Sequence, residues 1–230
     1  IGNNCDRKTV TQDELLRLID NAAAERWTTL DLAGQGLNEL PPEIGKLTNL
    51  KTLGLGRWDK KQGKRLGNNL KSLPDEIGQL VELRSLFLYD NNLTELPDSI
   101  GQMVELRSLN LCSNKVTTLP KSLNQLKQLK YLNLSSNQLK EVPDCIAQLS
   151  NLTSLVLWDN KIAQLPEWIH QLATLETLDL RANQLPIPPE VLGAREYYNN
   201  AASAKTVIDY YFQEQSDTPL YEAKLLIVGE

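Results

Sequence analysis

Leu106-Arg-Ser-Leu109-Asn-Leu111-Cys-Ser-Asn114-Lys-Val116-Thr-Thr-Leu119-Pro120-Lys-Ser-Leu123-Asn-Gln-Leu126-Lys-Gln128 is one unit of a pattern that the chain repeats. The units opening at Leu83, Leu129 and Leu152 put the same residue classes in the same places. Trp27, Leu50, Leu83, Leu106, Leu129, Leu152 and Leu175 open seven units, and every interval is 23 residues except the second, which is 33. The second unit therefore carries ten extra residues. A fixed period of roughly 20 to 29 residues marks units that stack on one another and share one continuous core.

Each position has a physical reason. Leu86 and Leu88, Leu109 and Leu111, and Leu132 and Leu134 are two residues apart, so each pair points to one side of a short strand and buries between neighbouring units. The residues between them face outward. Asn68, Asn91, Asn114, Asn137, Asn160 and Asn183 follow the strands, where a side-chain amide can pair with backbone groups of a turn that lack a ladder partner. Gln35 replaces Asn in the first unit. Pro41, Pro74, Pro97, Pro120, Pro143 and Pro166 fix φ and remove a donor where the chain turns away from the sheet.

The L-x-x-L-x-L-x-x-N spacing identifies leucine-rich repeats. The expected fold is an α/β leucine-rich repeat solenoid: a curved parallel sheet on the concave face, short helical, 3-10 or extended segments on the convex face, and a helical cap at each end. Thr11 with Glu14 forms a capping box, and Leu15, Leu18, Ile19 and Ala22 make one apolar face, which predicts a helix from about Gln12 to Ala24 over the first unit. Ala204, Val207, Ile208, Tyr211 and Phe212 recur at helical spacing and predict a closing helix from about Asn200 to Gln213. The chain divides into an N-terminal segment with its capping helix (1–26), the repeats (27–192, with the insertion at 56–67), a capping or linking helix (193–216), and a linker leading to a strand (217–230).

With 41% hydrophobic residues, 230 residues can bury a long, thin core. A formal charge of -5 argues against general nucleic-acid binding. Cys5, Cys112 and Cys145 are too few and too scattered to bound disulfide caps, which points to a reducing, cytoplasmic compartment. No apolar run reaches the roughly 18 residues that a membrane span requires. His170 is expected on the convex side and Cys112 on the concave side, so no Cys-His dyad can close, and no metal-ligand spacing is present. Asp90 and Asp159 lie three repeats apart, on the order of 14 Å at about 4.8 Å per strand, too far to act as a carboxylate pair.

Two surfaces are candidates for binding. On the concave face one outward column runs Gly54, Phe87, Asn110, Asn133, Val156, Asp179, and the next runs Tyr89, Cys112, Ser135, Trp158, Arg181. Tyr131 stands in a third column. Aromatics bordered by Asp90 and Asp159 are what a protein interface exposes; the plainer alternative is lateral packing, with Trp158 stacked on Arg181. The candidate partner site is therefore Phe87, Tyr89, Asp90, Tyr131, Val156, Trp158, Asp159, Asp179 and Arg181. The second surface is the insertion. Its Arg57, Trp58, Lys60, Lys61, Lys64 and Arg65, with Asp59, give it a charge of +4. It should overhang the concave face beside Asp90, either as a clamp for an acidic partner or another domain of the same protein, or as a tolerated solvated loop.

The Thr-Gln-Asp-Glu-Leu-Leu helix at residues 11–16, the 23-residue Leu-Pro units, Leu185-Pro-Ile-Pro-Pro-Glu-Val-Leu192, and Glu222-Ala-Lys-Leu-Leu-Ile-Val-Gly229 together resemble bacterial (cyanobacterial-like) Roco proteins over residues 11 to 230. The resemblance implies that the terminal strand opens a Roc GTPase domain, with Gly229 as the first glycine of a G-x-x-x-x-G-K-[ST] phosphate loop. It also implies GTP or GDP with magnesium for the full-length protein and none for this stretch, and it allows a downstream kinase. The repeats would then bind a protein partner or their own GTPase domain. The other reading is a stand-alone intracellular adaptor, similar to plant intracellular Ras-group repeat proteins, which would have no use for Leu225 to Val228. Four exposed aliphatic side chains would forfeit about 6 to 12 kcal/mol, so residues 224–228 are expected to pack on the repeats or to pair in a homodimer.

Overall fold

The computed structural model describes residues 10–193 and 202–217. Helix α1 (Gln12–Ala24) is followed by strands β1 (Thr29–Asp31), β2 (Thr52–Asp59), β3 (Lys64–Leu66), β4 (Ser85–Leu88), β5 (Ser108–Asn110), β6 (Tyr131–Asn133), β7 (Ser154–Val156) and β8 (Thr177–Asp179). Helices α2 (Pro189–Leu192) and α3 (Ala204–Asp217) come last. The sheet order is β1-β2-β4-β5-β6-β7-β8, parallel throughout, with β3 pairing antiparallel to β2 alone. This is the expected leucine-rich repeat solenoid.

The paired leucines are its core: Leu53, Leu55, Leu86, Leu88, Leu109, Leu111, Leu132 and Leu134 are fully buried. At roughly 1.5 to 3 kcal/mol for each fully buried aliphatic side chain, this column is the main source of stability. In the first six units a Leu-Pro, replaced in the fifth by Val142-Pro143, leads onto the convex side, where the proline stands in extended backbone just before a 3-10 helix. Pro120, at φ -65°, precedes Lys121–Gln125, and Pro143, at φ -62°, precedes Asp144–Gln148. The convex segments of the first six units are thus 3-10 helices, and the seventh carries the short helix α2.

The asparagines form the expected internal ladder. Asn114 Nδ2 donates to the carbonyls of Leu88 (2.9 Å) and Leu111 (3.0 Å), while its Oδ1 accepts the N–H of Leu93 at 3.0 Å. One buried amide thus satisfies three backbone groups from two adjacent units that would otherwise lack partners. Asn91, Asn137, Asn160 and Asn183 repeat the arrangement.

Both ends are closed by helices. In α1 the Thr11 N–H donates to Glu14 (3.0 Å) and the Glu14 N–H to Thr11 Oγ1 (3.3 Å), so the capping box is formed; Leu15, Ile19 and Ala22 bury against the first unit. At the other end, α3 begins at Ala204 rather than about Asn200. The reason is local: Ser203 makes an extended bridge to Thr177 of β8, and its Oγ accepts the Thr206 N–H at 3.2 Å, which fixes the helix start there. Ala204, Val207, Ile208 and Tyr211 are buried, and the Tyr211 hydroxyl accepts the Leu165 N–H at 3.1 Å.

The ten extra residues do not form a loop. Strand β2 runs on to Asp59 and β3 returns antiparallel, pairing Arg57 with Leu66, Trp58 with Arg65 and Asp59 with Lys64. Asp59 Oδ1 accepts the N–H groups of Lys61 (2.9 Å) and Gln62 (3.2 Å), and Gly63 at φ 58° completes the turn. Residues Leu225 to Val228 and Gly229 lie outside the described residues.

Candidate functional site

Because the register is regular, the concave face is a set of columns. One runs Thr29, Thr52, Ser85, Ser108, Tyr131, Ser154, Thr177; the middle one runs Asp31, Gly54, Phe87, Asn110, Asn133, Val156, Asp179. Backbone bonds from Asp90 N to Cys112 O, Ser136 N to Trp158 O and Asp159 N to Arg181 O continue the ladder through a third column: Tyr89, Cys112, Ser135, Trp158 and Arg181.

The structure gathers part of the candidate set around one cleft. Val156, Trp158, Asp179 and Arg181, joined by Asn133 and Ser135, line a hollow of about 160 Å³ on the C-terminal half of the concave face. Its floor is internally bonded. Arg181 Nε and Nη2 donate to the two Asp179 oxygens at 2.9 and 2.6 Å, and Asp179 is 6% exposed. Asn133 Oδ1 accepts from the Ser135 N–H (2.9 Å) and hydroxyl (2.6 Å), and its Nδ2 donates to the Tyr131 hydroxyl at 3.0 Å. Burial holds the Tyr131 phenol above its usual pKa, so it stays neutral. Trp158 and Val156, both half-buried, supply the apolar wall.

Other candidate residues take different roles. Tyr89 is 6% exposed rather than presented to solvent: it lies among Arg65, Cys112, Ser113 and Asp90, and burial raises its pKa. Asp179 and Arg181 spend their charges on each other, so the pair offers shape and polarity more than net charge. Asp90 and Asp159 occupy left-handed backbone at φ 56° and 55°, as do Ser113, Ser136 and Ala182 at the matching positions. Aspartate tolerates that conformation, which accounts for both residues without a ligand. Phe87 is half-buried in the middle column, one strand from Gly54.

Asn133 and Ser135 complete the cleft but were not among the candidate site residues, although the column spacing already places both on the outward side. The middle-column Asx residues share a signal: Asp31, Asn110, Asn133 and Asp179 each accept the N–H two residues on, which marks strand exits rather than ligands. The basic insertion is also reassigned in part. Arg57 Nε donates to Asp31 Oδ2 at 2.9 Å, and Arg65 lies 3.8 Å from Asp90, so two of its five cations tie the hairpin to the solenoid.

His170 lies on the convex side, its ring 4.5 Å from that of Phe212 in α3, and Cys112 is buried on the concave side. The Cys145 thiol is pushed up to about 11 by burial. Among the described residues no cluster of three His, Cys, Asp or Glu side chains is placed to hold a metal ion, and no helix is long and apolar enough to cross a membrane.

Residues 98–184 match the family model for a leucine-rich repeat region, and residues 67–116 match the one for a leucine rich repeat. No curated protein matches. Among solved structures, a leucine-rich repeat protein of Leptospira interrogans is 33% identical with a TM-score of 0.45, covering 74% of this chain and 59% of that one. The leucine-rich repeat ectodomain of the plant membrane receptor kinase GASSHO1/SCHENGEN3 from Arabidopsis thaliana, in complex with Casparian strip integrity factor 2, is 30% identical with a TM-score of 0.61, covering 77% and 20%. The functional domain of InlJ from Listeria monocytogenes is 27% identical with a TM-score of 0.56, covering 71% and 32%. This chain spans less than two thirds of the length of each of these structures.

Proposed function

We propose that this leucine-rich repeat domain, a fold that is typically non-enzymatic, binds a protein partner through the C-terminal half of its concave face, as the interaction and regulatory arm of a cytoplasmic Roco-type GTP-binding protein. The observation that carries the binding reading is the cleft beside Trp158. At about 160 Å³ it is smaller than the roughly 300 to 1,000 Å³ of small-molecule pockets. It suits one anchoring side chain of a protein, with Trp158 as the contact and the bonded Asn133-Ser135 and Asp179-Arg181 pairs as a rigid floor. Aromatic side chains in such settings dominate interface energetics. The Arabidopsis ectodomain, solved in complex with its factor, supports a binding role for the fold.

The GTPase context rests on the sequence Glu222-Ala-Lys-Leu-Leu-Ile-Val-Gly229. In this reading the partner is either a separate protein or the GTPase domain itself, and the repeats shift the switching equilibrium by favouring one nucleotide state. GTP or GDP with magnesium belongs to that domain. Of its phosphate loop this chain has Gly229 alone, without the Lys and Ser/Thr that contact phosphate and magnesium, so no nucleotide step is assigned to these residues. Residues 224–228 then either join the GTPase sheet or pair with a second copy.

Reading the open frame past Glu230 tests the context. A Gly-Lys-Ser/Thr at the phosphate-loop spacing after Gly229 supports the GTPase arm, and a stop codon or unrelated sequence leaves a stand-alone adaptor. Calorimetric titration of the repeats with the neighbouring domain, loaded with GDP or a GTP analogue, tests the cleft. Trp158→Ala should weaken binding by about thirtyfold, corresponding to roughly 2 kcal/mol. Unchanged affinity would remove the cleft from the interface.

A further inference from the structure

The hairpin of residues 56–67 plays no part in the cleft, yet it is held in place at several points. At its base, an added Cβ on Gly56 would lie 1.8 Å from the Tyr89 carbonyl oxygen, and one on Gly67 1.6 Å from that of Asp90, so only glycine lets the two branch points sit against the exit of β4. Arg57 is tied to Asp31 on one side and Arg65 to Asp90 on the other. The Leu66 side chain packs over Gly34 of the first unit. Lengthening a surface loop costs little free energy, so a merely tolerated insertion needs none of this. A held element has less entropy to lose on binding.

The fixed hairpin presents a specific chemistry. Trp58 is 41% exposed, which makes it, with Val81 and Val104, one of the exposed large apolar side chains among the described residues. Lys60 and Lys61 are exposed on the turn, and Lys64 stands on the returning strand. Whereas Arg57 and Arg65 have carboxylate partners, among the described residues no carboxylate lies within 4.0 Å of Lys60, Lys61 or Lys64. With +4 in the insertion and -5 overall, the other residues of the chain carry -9. The hairpin is therefore a small positive point on a negative body.

That contrast selects the partner. A nucleic acid gains affinity by neutralising many phosphates along a track, and beyond three lysines it would meet the acidic body. A membrane surface likewise calls for clusters of about four to eight cations. A short acidic protein segment concentrates its charge over a few residues and can bring an apolar side chain with it. We infer that the hairpin is a docking site for such a segment, its carboxylates on Lys60, Lys61 and Lys64 and an apolar side chain on Trp58. The site is separate from the cleft, which begins three strands away at β6, on the order of 14 Å at about 4.8 Å per strand.

The test uses the whole chain and a short fluorescein-labelled peptide of glutamates around a central leucine, read by anisotropy. Binding should weaken steeply as salt rises. Reversing Lys60, Lys61 and Lys64 to Glu should weaken it more than tenfold, and Trp58→Ala several-fold, while reversing Lys121 and Lys127 on the convex side changes nothing. Unaltered circular dichroism and melting show that the variants fold. Trp158→Ala should leave the probe bound, which separates this site from the cleft. No salt-sensitive binding, or equal binding by parent and hairpin variants, overturns the inference. So does tighter, hairpin-dependent binding to a single-stranded oligonucleotide or to anionic phospholipid vesicles, which would assign the lysines to a different polyanion.

Discussion

The chain leaves its sheet in two ways. After β4, β5, β6 and β7 it turns at once through a left-handed residue (Asp90, Ser113, Ser136, Asp159) and drops an asparagine into the core. After β2 it runs on into the hairpin and returns only at Gly67. Yet Asn68 makes the same bonds as its counterparts. It donates to Leu55 O at 2.8 Å and Leu32 O at 2.9 Å and accepts from Leu37 N at 3.1 Å, although Leu55 is 13 residues back rather than the usual 3. The lesson is that the buried amide, not the chain path into it, holds neighbouring units together. An insertion is tolerated wherever it leaves that amide in place.

This contrast yields four tests, taken in falling order of effect. Gly67→Ala should cost about 3 kcal/mol by urea denaturation, because a backbone carbonyl occupies the new Cβ position. Replacing the hairpin with the short exit of the third unit should relieve the penalty, and an excised chain that unfolded at a urea midpoint as low as that of the Gly67 variant would contradict this. Asn114→Ala strands three buried backbone groups and should cost about 2 to 3 kcal/mol without touching the hairpin. A loss under about 0.5 kcal/mol would show that water can replace the amide. Ala182→Gly relaxes a left-handed residue at φ 55° that has neither a glycine nor a polar side chain, and should raise stability by about 0.5 to 1 kcal/mol, visible as a higher urea midpoint. The smallest effect is expected for Arg65→Met. Its exposed pair with Asp90 is worth at most about 1 kcal/mol, so the global midpoint should barely move while amide exchange in residues 57–66 quickens.

Much of this was legible from the period. Unit boundaries, the inward leucines, the ladder asparagines, the three outward columns and α1 with its capping box all follow from spacing and local chemistry, and each is where the spacing puts it. The hairpin was less legible. Three residues either side of Lys60-Lys61-Gln62-Gly63 form a short hairpin pattern, but the flanking runs are charged and lack the apolar alternation that marks a strand. The cleft was half legible: the columns contain all six lining residues, but they do not say which outward side chains are buried by one another.

The sequence by itself determined the number of units, which side chains face the core and which amides join neighbouring units, because those features recur at a fixed interval and act through local geometry. Only the tertiary structure decided that the insertion is a pinned hairpin, that Tyr89 is covered, and that Asp179 and Arg181 neutralise one another at the edge of a cleft. The hairpin ties link Asp31 to Arg57 across 26 residues, and they join surface side chains with no period. Such contacts are set by which surfaces the stacked units bring together, and no repeat pattern encodes them.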